Sequence, residues 1–96
     1  MVTPADMVIR VHALQRMAER QISLADVLAV VNTNDVIEEY PTDTPFSSVL
    51  GLGFVNGRPI HVVWALGPGE KRTIVTLYEP DPARWDKTFR VRTPKA

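Results

Sequence analysis

SSVLGLGFVNGRPIHVVWALGPGEKRTIVTLYE, residues 47–79, is the stretch that decides the fold. It holds three extended runs and two turns. Asn56-Gly57 is a two-residue hairpin signal, because both residues tolerate the positive φ that such a turn requires. It joins a strand over Ser47–Val55 to one over Arg58–Leu66. Gly67-Pro68-Gly69-Glu70 is a second turn, and Lys71–Glu79 is the last strand. The two central runs are apolar on both faces, so the sheet they form is covered on both sides.

Upstream, Val36–Tyr40 reads as an edge strand whose charges, Glu38 and Glu39, discourage edge pairing, and Pro41–Pro45 is its loop. Before it, Leu24, Val27, Leu28 and Val31 form a helical stripe. Ser23 caps that helix with Asp26 three residues on, and Asn32-Thr33-Asn34 ends it. Earlier still, Val11, Leu14, Met17 and Ala18 share one helix face, with His12, Arg16, Glu19 and Arg20 on the other. Met7–Arg10 is a short extended segment. Downstream, Pro80-Asp81-Pro82 stops the sheet. Asp81 can cap a short helix whose inner face carries Trp85 and Phe89. The expectation is an α+β fold: two N-terminal helices, a four-stranded antiparallel meander and a short C-terminal helix. It is a single domain over residues 1–96: a short extended leader at 1–10, the helical pair at 11–34, the sheet at 35–79, and a short helix with a basic tail at 80–96.

Composition narrows the function classes. The 96 residues include no cysteine, which excludes disulfides, cysteine zinc sites and thiol catalysis. No apolar run approaches the roughly 20 residues of a membrane span. Met1–Asp6 lacks the basic and apolar regions of a signal peptide, and a cytoplasmic location is expected. Net charge is zero, which argues against strong non-specific nucleic-acid binding. The charge is unevenly placed, however. Asp26, Asp35, Glu38, Glu39 and Asp43 form an acidic stretch without a basic residue, whereas Arg84, Lys87, Arg90, Arg92 and Lys95 face Asp86 alone. That tail reads either as a partner- or RNA-binding arm or as a solvated terminus.

A four-residue turn at Gly67–Glu70 sets His61 opposite Thr76, with Tyr78 two residues along the same face. The Asn56-Gly57 hairpin sets His61 opposite Leu52. An imidazole beside two hydroxyls suits acid–base work, or is a hydrogen-bonded polar pair in the core. His12, at the start of its helix, is expected to stay neutral beside the helix dipole. Arg16, one turn on, could clamp a phosphate there; the alternative is a solvent-facing helix side. Two histidines and scattered carboxylates make no recognisable metal spacing, and no cofactor is implied. Ser47-Ser48 lacks a nucleophile-elbow context. Gly51-Leu52-Gly53 lies within a strand, where glycine marks a bulge or close packing. Trp64, Trp85 and Phe54 read as core.

Several stretches together resemble the bacterial family catalogued as domain of unknown function 4258. They are His12–Arg20, Gln21-Ile22-Ser23 with Asp26-Val27, Val36–Pro41, Gly57–Val63, and Ile74–Pro82 with Trp85 and Phe89. Gln21 stands where that family usually has glycine. The resemblance implies a distant relation to RelE/ParE-like toxins, many of which are metal-independent RNases using His, Arg and hydroxyl side chains. It also implies a neighbouring-gene partner: an antitoxin-like protein with a zinc finger. Two functions follow as expectations. One is a toxin-like endoribonuclease using His12, His61, Arg16, Thr76 and Tyr78 on RNA. The other is a non-catalytic protein-binding module of the same fold.

Overall fold

The computed structural model describes residues 1–43 and 46–94; Thr44 and Pro45 of the expected loop and Lys95 of the basic tail lie outside them. The elements are β1 (Met7–Ile9), α1 (Val11–Arg20), α2 (Leu24–Thr33), β2 (Val36–Tyr40), β3 (Ser48–Val55), β4 (Arg58–Leu66) and β5 (Arg72–Tyr78). The architecture is α+β, but the sheet is not the expected four-stranded antiparallel meander. It has five strands in the order β1-β5-β4-β3-β2, and β1 pairs parallel to β5. The extended leader segment is therefore a sheet strand. Met7, Val8 and Ile9 pair with Arg72, Thr73 and Ile74.

The expected C-terminal helix is absent as well. Asp81 caps a single turn, its carbonyl accepting from the amides of Arg84 and Trp85. Asp86 then competes for the backbone: its carboxylate accepts from the amides of Thr88 and Arg90. Such side-chain bonds favour turns over helix. Trp85 instead bridges to Arg92 in a small antiparallel hairpin. Residues 81–94 form a strap across the sheet.

Two layers of core result. On one face Val27, Val30 and Val31 of α2 pack with Ile60, Val62, Trp64, Ile74 and Leu77. Gly51 and Gly53 permit that close approach: a Cβ on Gly51 would lie 2.3 Å from the Trp64 ring, and one on Gly53 would meet Val30. On the other face Leu50, Leu52 and His61 are buried, with Trp85 of the strap edge-on against the His61 ring.

Helix α1 sits at the β5 side of the sheet and is rotated from the expected orientation. Ala13 is its buried residue, while Val11 and Leu14 are 70% and 50% exposed. The inward residues are Ala13, Arg16 and Met17, a stripe displaced by about one residue's 100° from the apolar one. The helix ends at Gln21 in a left-handed conformation, φ 55° and ψ 48°. Arg58 holds that end. Its guanidinium donates to the Gln21 carbonyl at 3.1 Å and to the Arg20 carbonyl, as a cation at a helix C-terminus should. Ser23 and Asp26 form the expected capping box on α2.

Candidate functional site: an arginine-lined cleft at the edge of β5

Register fixes which side chains meet. The β3–β4 hairpin has the expected pairing, Leu52 opposite His61. The β4–β5 pairing does not. Leu66 pairs with Arg72, so the connection runs over Gly67–Lys71, and Val75 is an extra residue between the Trp64–Ile74 and Val63–Thr76 pairs. His61 therefore faces Tyr78, not Thr76. The longer turn and the bulge each shift the register by one residue. Two shifts restore the original face, so His61, Thr76 and Tyr78 still share it.

His61 is completely buried. Its Nε2 lies 2.8 Å from the Phe89 carbonyl oxygen, and its Nδ1 lies 3.3 Å from the Tyr78 hydroxyl. A carbonyl can only accept, so Nε2 carries the proton and Nδ1 accepts from Tyr78. Burial holds the imidazole below its ordinary pKa. The Phe89 hydrogen bond and Glu38 oppose that shift, and Arg92 adds to it. Burial also pushes the Tyr78 phenol up. Both groups are neutral at pH 7.

Glu38 reaches this face through a bulge in β2, where Ile37 is the extra residue between the Val36–Gly51 and Glu38–Leu50 pairs. Arg92 donates to both Glu38 oxygens, at 2.9 and 3.1 Å, and lies over the Trp85 ring at 4.7 Å. Tyr40 donates to Glu38 at 2.6 Å. The Arg92 hydrogen bond holds Glu38 below the usual carboxylate range. Burial and the Glu38 bond push Tyr40 up to about 12. At Asp35 and Glu38 the acidic stretch thus meets the basic tail: Arg90 grips both Asp35 oxygens as Arg92 grips Glu38. The charge asymmetry of the sequence is an internal clasp for the strap, so these arginines are not a solvated terminus.

β1 covers the edge of β5 only as far as Ile74. Beyond it, between α1 and the strap, opens a cleft of about 360 Å³. Arg16 and Arg20 line it from α1, Thr76 and Tyr78 from β5, and Arg84 and Arg92 from the strap. Glu79 and Asp81 are also in the lining, but both are engaged. Glu79 pairs with Arg58 at 2.5 Å, and Asp81 accepts from the Ala83 amide. Among the described residues Arg20 and Arg84 have no carboxylate within 4.0 Å, and Arg16 has only Glu19 at 3.8 Å. The cleft is consequently electropositive.

Of the sequence-selected residues, Arg16, Thr76 and Tyr78 line this cleft, and His61 lies beneath it, bonded to Tyr78. His12 is exposed and is not in the lining. Sequence reasoning missed Arg20 and Arg84. The i, i+4 spacing of Arg16 and Arg20 was the available signal for the first; nothing local marked the second. Among the described residues no group of three His, Asp or Glu side chains could hold a metal ion.

No curated protein and no solved structure gives a significant match to this chain. A family model described as "Domain of unknown function (DUF4258)" matches residues 9–79. That span runs from β1 through β5 and carries most of the cleft, so the chain belongs to this family.

Proposed function

We propose that the cleft receives a phosphodiester of RNA and that the chain is a toxin-like, metal-independent endoribonuclease. One observation carries this reading: four arginines and two hydroxyls converge on one opening, and one of those hydroxyls rests on a neutral, buried imidazole. Arginine suits phosphate through its planar fork of donors. The RelE/ParE-like kinship suggested by the sequence supplies the reaction class, an RNA substrate places the work in the cytoplasm, and the antitoxin-like partner would act by occluding the cleft.

A 2′-hydroxyl bonded to the Tyr78 oxygen passes its proton there as the phenolic proton moves to His61 Nδ1. The 2′-oxygen attacks phosphorus, and Arg84 and Arg16 stabilise the charge that develops. The 5′-oxygen leaves and takes a proton from water at the open mouth. The hydroxide so formed recovers the proton from the Tyr78–His61 pair. The products are a 2′,3′-cyclic phosphate end and a 5′-hydroxyl end.

The test is cleavage of single-stranded RNA in the presence of a chelator, with and without ribosomes. Tyr78→Phe should lower the rate by about 10²–10⁴-fold, the usual contribution of a positioned acid or base. Arg16→Ala with Arg84→Ala should weaken RNA binding and reduce its salt dependence. Full-rate cleavage by folded Tyr78→Phe would end the catalytic assignment. The complete burial of His61, with His12 outside the lining, favours a second reading: a binding module without chemistry. It expects RNA or a partner to bind with no cleavage under any of these conditions.

A further inference from the structure

On the outside of the strap, adjoining the cleft through Trp85, lies a shallow, mainly apolar groove lined by Pro82, Trp85, Lys87, Phe89 and Thr93. Phe54, at the end of β3, stands beside it. Its side chain is 56% exposed, and its ring meets Phe89 edge to face at 6.4 Å. Phe54 is left in water at the end of the sheet, with the half-buried Phe89 ring against it. The backbone beneath it is unusual too. Phe89 has φ 61°, a left-handed conformation that bulky side chains rarely adopt. The turn it ends, Asp86 to Phe89, would be unstrained with glycine or asparagine there. The chain instead carries a phenyl ring at that point, against local preference, and such departures cluster at functional positions.

Two charged side chains line the groove, Lys87 and Asp86. Lys87 has no carboxylate within 4.0 Å among the described residues. Asp86 lies in the groove wall, but its carboxylate is occupied by the Thr88 hydroxyl and the amides of Thr88 and Arg90. Trp85 is shared with the cleft, where its chain neighbour Arg84 lies. Exposed aromatic faces beside free cations are the pattern that holds single-stranded nucleic acid, because every base offers a face to stack on.

We infer that Phe89 and Phe54 form a stacking subsite for an unpaired base of single-stranded RNA, flanking the phosphate held in the arginine cleft. The inference rests on the RNA reading of that cleft and deepens it. The strand crosses the strap at Trp85, with its backbone toward Arg84 and Lys87 and one base against the phenylalanine pair. Paired bases cannot reach the rings, so the subsite selects unpaired RNA.

The experiment measures binding of labelled single-stranded RNA by fluorescence anisotropy. One series carries all its bases; a second carries abasic ribose at single positions. For the wild type, one abasic position should weaken binding by about 5–100-fold, the usual range for one stacked base. Phe89→Gly removes the half-buried ring while easing the backbone, and circular dichroism checks that it folds. It should bind the intact RNA about as weakly as the wild type binds the abasic RNA, with no further loss on the abasic RNA. Phe54→Ala should act in the same direction. If folded Phe89→Gly binds intact RNA as the wild type does, the subsite is overturned. The cleft reading then stands or falls separately on Arg16→Ala with Arg84→Ala. Loss of binding in Phe89→Gly with none in the arginine variant would keep the subsite and overturn the cleft. A wild type that binds no RNA overturns both.

Discussion

Gln21 shows how much one residue can reveal. It occupies a left-handed position at the end of α1, φ 55°, where a β-carbon costs about 1 kcal/mol or more. Gln21→Gly should raise stability by about 0.5–1 kcal/mol, after the greater freedom of glycine in the unfolded chain is allowed for; a urea titration checks it. His61 makes the pH-dependent counterpart. Its folded pKa lies below the ordinary value of 6.5 because of burial. The unfolded chain therefore binds the proton more readily. The stability linked to neutral His61 is present above pH 6.5 and is lost as pH falls through that value toward the folded pKa. Unfolding titrations at pH 7.5, 6.5 and 5.5 should show the wild type losing stability across that window. His61→Gln should be less stable at pH 7.5 and flatter between 7.5 and 5.5, leaving the carboxylate contribution of Glu38 to appear only below about its ordinary 4.5. The sequence revealed the chemical character of both positions: Gln21 as a departure from glycine, and His61 as an interruption in an apolar strand.

At the scale of elements, local patterning and global placement come apart. The hairpin at Asn56-Gly57, the capping box of α2 and the close packing of Gly51 and Gly53 were readable because each is set by neighbouring residues. β1 was visible as an extended segment, but its partner lies 65 residues away, Met7 with Arg72, and no local signal joins them. The rotation of α1 has the same origin. Its apolar stripe is plain in the sequence, yet Arg58 and the edge of β5 draw a different face inward. The strap was misread as a helix because Trp85 and Phe89 have helical spacing, whereas Asp86 uses its carboxylate to organise a turn. Arg92 is the strap's polar anchor, though it is 59% exposed. Its bond to Glu38 should therefore contribute only about 0.5–1 kcal/mol, the range of solvent-screened pairs. A double-mutant cycle of Arg92→Ala and Glu38→Gln, followed by thermal melting at low and high salt, should give a coupling of that size that shrinks with salt.

For the whole molecule, a net charge of zero conceals a segregated distribution. The acidic stretch and the basic tail neutralise each other at Asp35–Arg90 and Glu38–Arg92, while Arg20 and Arg84 are left at the cleft. Composition alone therefore does not report the local charge of the cleft. The sequence supplied Arg16, Thr76, Tyr78 and His61 as chemically capable residues. The shared face of His61, Thr76 and Tyr78 was legible, because the bulge and the longer turn cancel, whereas their meeting with Arg16 depends on an uncovered strand edge, which no periodicity encodes. A chain of this size has little stability in reserve. Removing residues 81–96 uncovers His61 together with the loss of the buried Trp85. Loss of a buried tryptophan alone typically costs about 3–5 kcal/mol. The truncated chain should melt without cooperativity or stay unfolded at 25 °C, as circular dichroism would report.

The parallel pairing of β1 with β5 also has a consequence for synthesis. A ribosome makes Met7–Ile9 well before β5, yet the pairing is not complete until Ile74 has emerged, and the clasp at Glu38 waits for Arg92. Until then the nascent chain carries an apolar sheet face with no cover and a first strand with no neighbour. Such exposed edges and surfaces are what aggregation and chaperones both recognise. Maturation of this protein is thus a late, nearly all-at-once event. Ribosome-stalled chains ending before Trp85 should remain protease-sensitive along their whole length, and chains long enough to expose Arg92 should become resistant in a single step.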